Sequence, residues 1–175
     1  MNENVMELAE GDWIIHTRYG LGQVMCMEEK ELLGERKNYY NVKTEIFNYW
    51  LSISSLNSGR VRHVARSSDF SKALDIIASE PAALDENFHN RLQSINDLLA
   101  ENTIFSKAQL IRDINARNVR KDIHANEKGI LETLKGQFVN ELALSCQVSE
   151  NDARDKMQEA LKKSSANVKP KKPAF

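Results

Sequence analysis

His16, His63, His89 and His124 are the first residues to test for metal or acid–base chemistry, and their spacing suits neither. A zinc site needs ligands grouped at short intervals, and these lie far apart in the chain. Cys26 and Cys146 form no C-x-x-C pair and no disulfide framework. The chain contains no G-x-S-x-G elbow, no Gly-rich phosphate loop and no H-E-x-x-H helix. Its carboxylates are scattered among lysines and arginines at helical spacing, the pattern of a solvated face. The sequence therefore points away from an enzyme: it offers no catalytic residue and no metal ligand, and no cofactor is expected.

What remains is chemistry of binding. Trp50 is a large aromatic on the polar side of an alternating segment, Phe47–Ile53, in which Phe47, Tyr49, Leu51 and Ile53 share the other side. Tryptophan is enriched among interface hot spots, so Trp50 is either an anchor for a partner or is covered by another part of the chain. Tyr49, on the apolar side, is expected in the core. Arg117, Arg120 and Lys121 cluster where a helix should end. Cations there complement the helix dipole, and they could also meet phosphates. Phe88 opens an apolar stripe with Leu92, Ile95 and Leu99, and reads either as core or as a protruding ring at the helix start.

The elements that must position these groups fall into two kinds. Up to about Ala65 short alternating runs are separated by turns. Strands are expected at 12–16, 23–31, 38–44, 47–53 and 61–64, with turns at Arg18–Gly22 and Leu33–Arg36. Five short strands predict a small SH3- or Tudor-like barrel that buries little surface. Beyond Ala65, helices are expected at 70–79, 85–100, 104–121, 126–147 and, opened by the Ser149-x-x-Asp152 pattern, to 163. The fold class is α+β: an N-terminal five-stranded β barrel at 9–66, after an extension at 1–8, and an all-α five-helix domain at 67–163. The tail from Ser164, with Lys169, Pro170, Lys171, Lys172 and Pro173, is expected to be disordered.

The chain has 175 residues, 41% of them hydrophobic and 28% charged, with a net charge of -1. That balance excludes an autonomous, strongly basic nucleic-acid binder; any DNA contact must be local or assisted. No apolar run is long enough for a membrane helix, and Met1–Glu10 lacks the features of a signal peptide. A cytoplasmic monomer with no membrane partner is expected.

The segment Gly11-Asp12-Trp13-Ile14-Ile15-His16-Thr17-Arg18-Tyr19-Gly20-Leu21-Gly22-Gln23-Val24 resembles the polymerase-interacting module shared by CarD-type regulators and the transcription-repair coupling factor. Leu33-Gly34-Glu35-Arg36-Lys37-Asn38-Tyr39-Tyr40 resembles its second characteristic segment. Val61–Val64, Leu110–Asp113, Asn126–Lys128 and Val139–Leu144 resemble successive parts of the CarD helical domain, so the likeness spans residues 9–163. The helicase motifs of the coupling factor are absent.

The resemblance implies a transcription regulator whose barrel binds the β subunit of RNA polymerase and whose helices contact promoter DNA at the upstream edge of the melted region. There a tryptophan wedges into the minor groove and stabilises the open complex. In that pattern Lys30 matches one basic polymerase-binding position, Trp50 replaces a second, and Arg36 lies nearby. Phe88 stands where the wedge tryptophan belongs, Asn90 where a basic residue is expected, and Arg91 is the phosphate partner, helped by Arg117 and Arg120. A flat apolar ring can still act as a wedge, so the substitution at Phe88 is compatible with that role. The loss of the tryptophan and of a basic residue also fits a protein–protein adaptor that never touches DNA.

Overall fold

The computed structural model describes residues 6–169 and 171, and the chain divides into two compact units between Val64 and Ala65. The expected tail overlaps both sides of that limit: residues 166–169 and 171 are described, while Pro170 and residues 172–175, like residues 1–5 of the N-terminal extension, lie outside the described residues.

The first unit contains β1 (Trp13–His16), β2 (Gly20–Leu32), β3 (Glu35–Lys43), β4 (Asn48–Ser52) and β5 (Val61–His63). They form one antiparallel sheet in the order β4-β3-β2-β1-β5. The five expected strands are all present, and their alternation decides which face is covered. Ile14, Val24, Val42, Leu51 and Val61 are buried together, joined by Leu8 and by Leu56. Leu56 comes from a 3₁₀ turn, Ile53–Ser58, which links the two outer strands β4 and β5. This turn replaces the last residue of the expected fourth strand.

β2 begins at Gly20, three residues earlier than expected, so the predicted Arg18–Gly22 turn is mostly strand. Two local contacts explain this. A Cβ on Gly22 would lie 2.6 Å from Val42 Cγ1, so only glycine lets the neighbouring strand approach. The tight bend before it is held by His16, whose Nδ1 accepts the backbone N–H groups of Arg18 at 3.0 Å and Tyr19 at 3.3 Å. Further along, Val24 pairs with Val42 but Cys26 pairs with Asn41, so Met25 is an extra residue in a β-bulge.

The second unit contains α1 (Ser67–Ala78), α2 (Phe88–Glu101), α3 (Ile104–Val119), α4 (Ala125–Cys146) and α5 (Glu150–Ser165). The five expected helices form, and α3 touches each of the other four. Phe70, Ile77, Ile95, Leu110, Ile111, Ile114, Leu131 and Phe138 are nearly fully buried around it. Each such side chain stabilises the unit by about 1.5–3 kcal/mol. Phe70 and Phe138 meet edge-to-face, 5.6 Å apart.

Helix starts follow the side chains that can cap them. Thr103 accepts the Ser106 N–H at 2.9 Å, and Ser149 accepts that of Asp152 at 3.1 Å. α2 starts at Phe88 and not at Asp85, because Asn87 is the cap: its side chain accepts from the N–H groups of His89 and Asn90.

Candidate functional site

Trp50 stands on the outer face of the sheet with 60% of its surface exposed. Its neighbours on that face come from the pairings Cys26–Asn41–Trp50 and Glu28–Tyr39–Ser52. Lys30 Nζ lies 4.6 Å from the centre of the indole ring and 2.7 Å from Glu28 Oε2. The indole Nε1 donates to the same Glu28 oxygen at 3.2 Å, and Asn41 Nδ2 donates to the other at 2.9 Å. Three nitrogen donors, and the Cys26 thiol at 3.6 Å, therefore converge on one carboxylate. The Lys30 and Asn41 hydrogen bonds, opposed by partial burial and aided by Trp50 and the Lys30 charge, hold the Glu28 carboxyl at about 2. Glu28 stays ionised throughout the physiological range and fixes both the ring and the ammonium stacked on it. The result is a pre-oriented aromatic–cation pair, which a partner can bind without first ordering either side chain.

Glu28 and Asn41 were not singled out by the sequence. Glu28 could have been: two residues before Lys30 on a strand, it must share the Lys30 face. Asn41 depends on the β3–β4 register, which no local pattern supplies. Arg36 does not join this group. It sits near the β2–β3 turn, 3.5 Å from Glu31 with both side chains largely exposed, five residues along β3 from Asn41.

Tyr49 faces inward as expected: it packs against the aliphatic core and joins an aromatic group with Tyr19, Phe47 and His16. The Tyr19 and Tyr49 ring centres are 4.6 Å apart. Burial, with some help from Tyr19, pushes the Tyr49 hydroxyl up to about 12. Burial and the charges of Arg60 and Arg18 lower the pKa of His16, in keeping with an Nδ1 that must stay unprotonated to accept the turn amides.

The helical unit treats its basic residues differently. Arg91 is 1% exposed. Its Nε is bonded to Glu127, which is equally buried, and its Nη1 donates to the carbonyls of Asp85 at 2.6 Å and Glu86 at 3.0 Å. Burial alone would raise the Glu127 pKa, but the Arg91 hydrogen bond, the His124 N–H and the charges of Arg91 and Arg117 outweigh it and hold the carboxyl below its usual range. The expectation that Arg91 meets a phosphate is thereby corrected, since its guanidinium is spent inside the fold. Arg117 is corrected on the same ground: it is 5% exposed, with Nη2 3.1 Å from Asp122. With Lys121 next to it, Arg120 is exposed, at the end of α3. It lines an open cleft of about 510 Å³ together with Lys163, Lys169 and Glu80.

Phe88 is the first residue of α2, half-buried and outside the hydrophobic core. The stripe that faces the core runs instead through Arg91, Ile95, Leu98 and Leu99. The Phe88 ring is braced by His124, 4.8 Å away, and by the Arg91 guanidinium at 5.7 Å. His89 and Asn90 beside it are exposed.

Residues 72–158, which run through all five helices, match the family model described as CarD, C-terminal domain. The chain belongs to the CarD family. A second comparison reaches beyond the helices. The Bacillus subtilis (strain 168) protein named "Putative transcription factor YdeB" is 24% identical over 146 residues, which cover 82% of this chain and 95% of that one. The aligned length exceeds that of the helical unit, so it takes in part of the sheet unit as well. This CarD-family chain is a transcription regulator. Among the described residues, no group of His, Cys, Asp and Glu could hold a metal ion, and no helix is long and apolar enough to cross a membrane.

Proposed function

We propose that this chain regulates transcription by docking its sheet unit on the β subunit of RNA polymerase and bringing its helical unit to promoter DNA at the upstream edge of the melted region. One observation carries the reading: an exposed Trp50 indole, locked by Glu28 and covered on one face by Lys30. Such an anchor has no use within its own sheet and has the composition of an interface hot spot. Trp50→Ala should weaken capture of purified polymerase β subunit about 30-fold, the size of a roughly 2 kcal/mol hot spot. Unchanged capture overturns this assignment.

On the DNA side the reading rests on Phe88 as a minor-groove wedge, with Arg120 as the phosphate partner. A chain of net charge -1 that meets few phosphates binds DNA weakly on its own. Tethering on polymerase can compensate by about 10²–10⁴-fold in avidity. Phe88→Ala should shorten the open-complex lifetime while sparing polymerase capture. An unchanged lifetime removes the wedge.

The burial of Arg91 and Arg117 favours a second reading, an adaptor on polymerase with no DNA contact. Gel shifts of the polymerase–promoter complex over a salt series separate the two. A DNA contact steepens the salt dependence of the complex, and an adaptor leaves it unchanged.

A further inference from the structure

Past Tyr39 the β2–β3 ribbon loses its neighbours. β4 pairs no further than Tyr39 with Ser52, and β1 pairs no further than Trp13 with Gln23. From Glu29 and Asn38 onward the ribbon is two-stranded. At its end Leu32 pairs with Glu35, so Leu33 and Gly34 alone make the turn, with φ of 55° and 81°. A two-residue hairpin turn with both φ values positive is the type I′ arrangement, and its first position strongly favours Asn, Asp or Gly. Leucine at that position holds a strained left-handed backbone. Nothing among the described residues compensates: Leu33 is 105% exposed and Leu32 56%. The charges behind the tip are matched within the ribbon, Arg36 with Glu31 and Lys37 with Glu35 at 2.6 Å, as Lys30 is with Glu28. A locally unfavourable residue kept where it contacts nothing marks a site of function.

We propose that the Leu32–Leu33 tip is a second anchor, inserted into an apolar pocket of the same polymerase surface that receives Trp50. This rests on the polymerase-docking reading above. The paired cations argue against nucleic acid and against anionic headgroups, because none of them is left over for a phosphate. Leu32 lies on the same face as Glu28 and Lys30, six residues along β2 from the Cys26–Asn41–Trp50 row, about 20 Å away at the rise of a strand. Both anchors therefore fit within one interface of ordinary size, about 800 Å² on each partner.

Leu33→Asn separates structure from function, because asparagine suits the turn better while removing the apolar group. Thermal unfolding of the full chain should be unchanged or shifted upward, and affinity for purified polymerase β subunit should fall about tenfold, with Leu33→Met restoring it. A lower unfolding temperature for Leu33→Asn overturns the proposal, since leucine would then serve its own fold. If Trp50→Ala weakens binding and Leu33→Asn does not, the tip is overturned and the docking reading stands. If neither variant changes binding, both fall. A concentration-dependent dimer in sedimentation, abolished by Leu33→Asn, overturns it in favour of a second copy of the chain.

Discussion

Between Trp13 and Trp50 nine large hydrophobic side chains are exposed, while from Ala65 onward none is among the described residues. Charge shows the reverse. The helical unit buries Arg91, Lys107, Asp113, Arg117, Glu127 and Glu141, and the sheet unit buries no Asp, Glu, Lys or Arg among its described residues. A five-helix bundle has enough interior to enclose ion pairs and satisfy them. A small sheet has little interior, so its large apolar groups must face outward. Exposed apolar groups on a small domain mark contact with a partner. Buried ion pairs mark internal organisation: Arg91 and Glu127 tie the loop before α2 to the start of α4, and Phe88 rests on that tie. The difference supports the proposed division of labour, in which the sheet unit docks and the helical unit holds one ring in place.

The strongest way to break this comparison is Arg91→Ala. Removing one member of a buried pair strands the Glu127 charge, which should destabilise the helical unit by about 3–5 kcal/mol in chemical denaturation. If stability held and only DNA affinity fell, Arg91 would be a surface ligand after all and the contrast would fail.

A smaller effect concerns acid. His16 must be neutral to accept the two turn amides, and its pKa is lowered in the fold. The unfolded chain therefore binds a proton more readily than the folded one. Stability from this group is complete above the unfolded value, near 6.5, and declines as the pH falls below it. Thermal melts of the full chain between pH 7.5 and 5 should show this decline, and His16→Gln should flatten it. A decline of the same size in the variant would remove the turn from the account. The smallest expected effect is that of Lys30→Ala, which removes the cation over Trp50. Polymerase affinity should drop by about 0.5–1 kcal/mol, as for an exposed cation–π pair, with no change in unfolding temperature.

Most of the fold could be read from the sequence because periodicity reports which face is buried. The alternation through Tyr49, Trp50 and Leu51 placed Trp50 outside, and the Ser149-x-x-Asp152 pattern placed the start of the last helix. The helical site was misread for a definite reason. Arg91 lies four residues before Ile95, on the core side of α2, and that spacing should have outweighed its charge. Its burial becomes intelligible only with Glu127 opposite, a contact across 36 residues of sequence that no local pattern carries. The tip was read as a four-residue turn, Leu33–Arg36. The pairing of Leu32 with Glu35 shortens it to two residues and exposes the misfit of leucine.

Met25 has an effect out of proportion to its size. Side chains along a strand alternate sides with strict parity, and one surplus residue between Val24 and Cys26 reverses that parity for everything after it. Were the same residues paired without the bulge, Met27 and Glu29 would lie beneath the Trp50 indole, while Glu28 and Lys30 would turn to the opposite side. The chemistry of the anchor is thus encoded as much by counting as by composition: a strand that took up its extra residue beyond Lys30 would keep every residue of the anchor in the chain and lose the anchor.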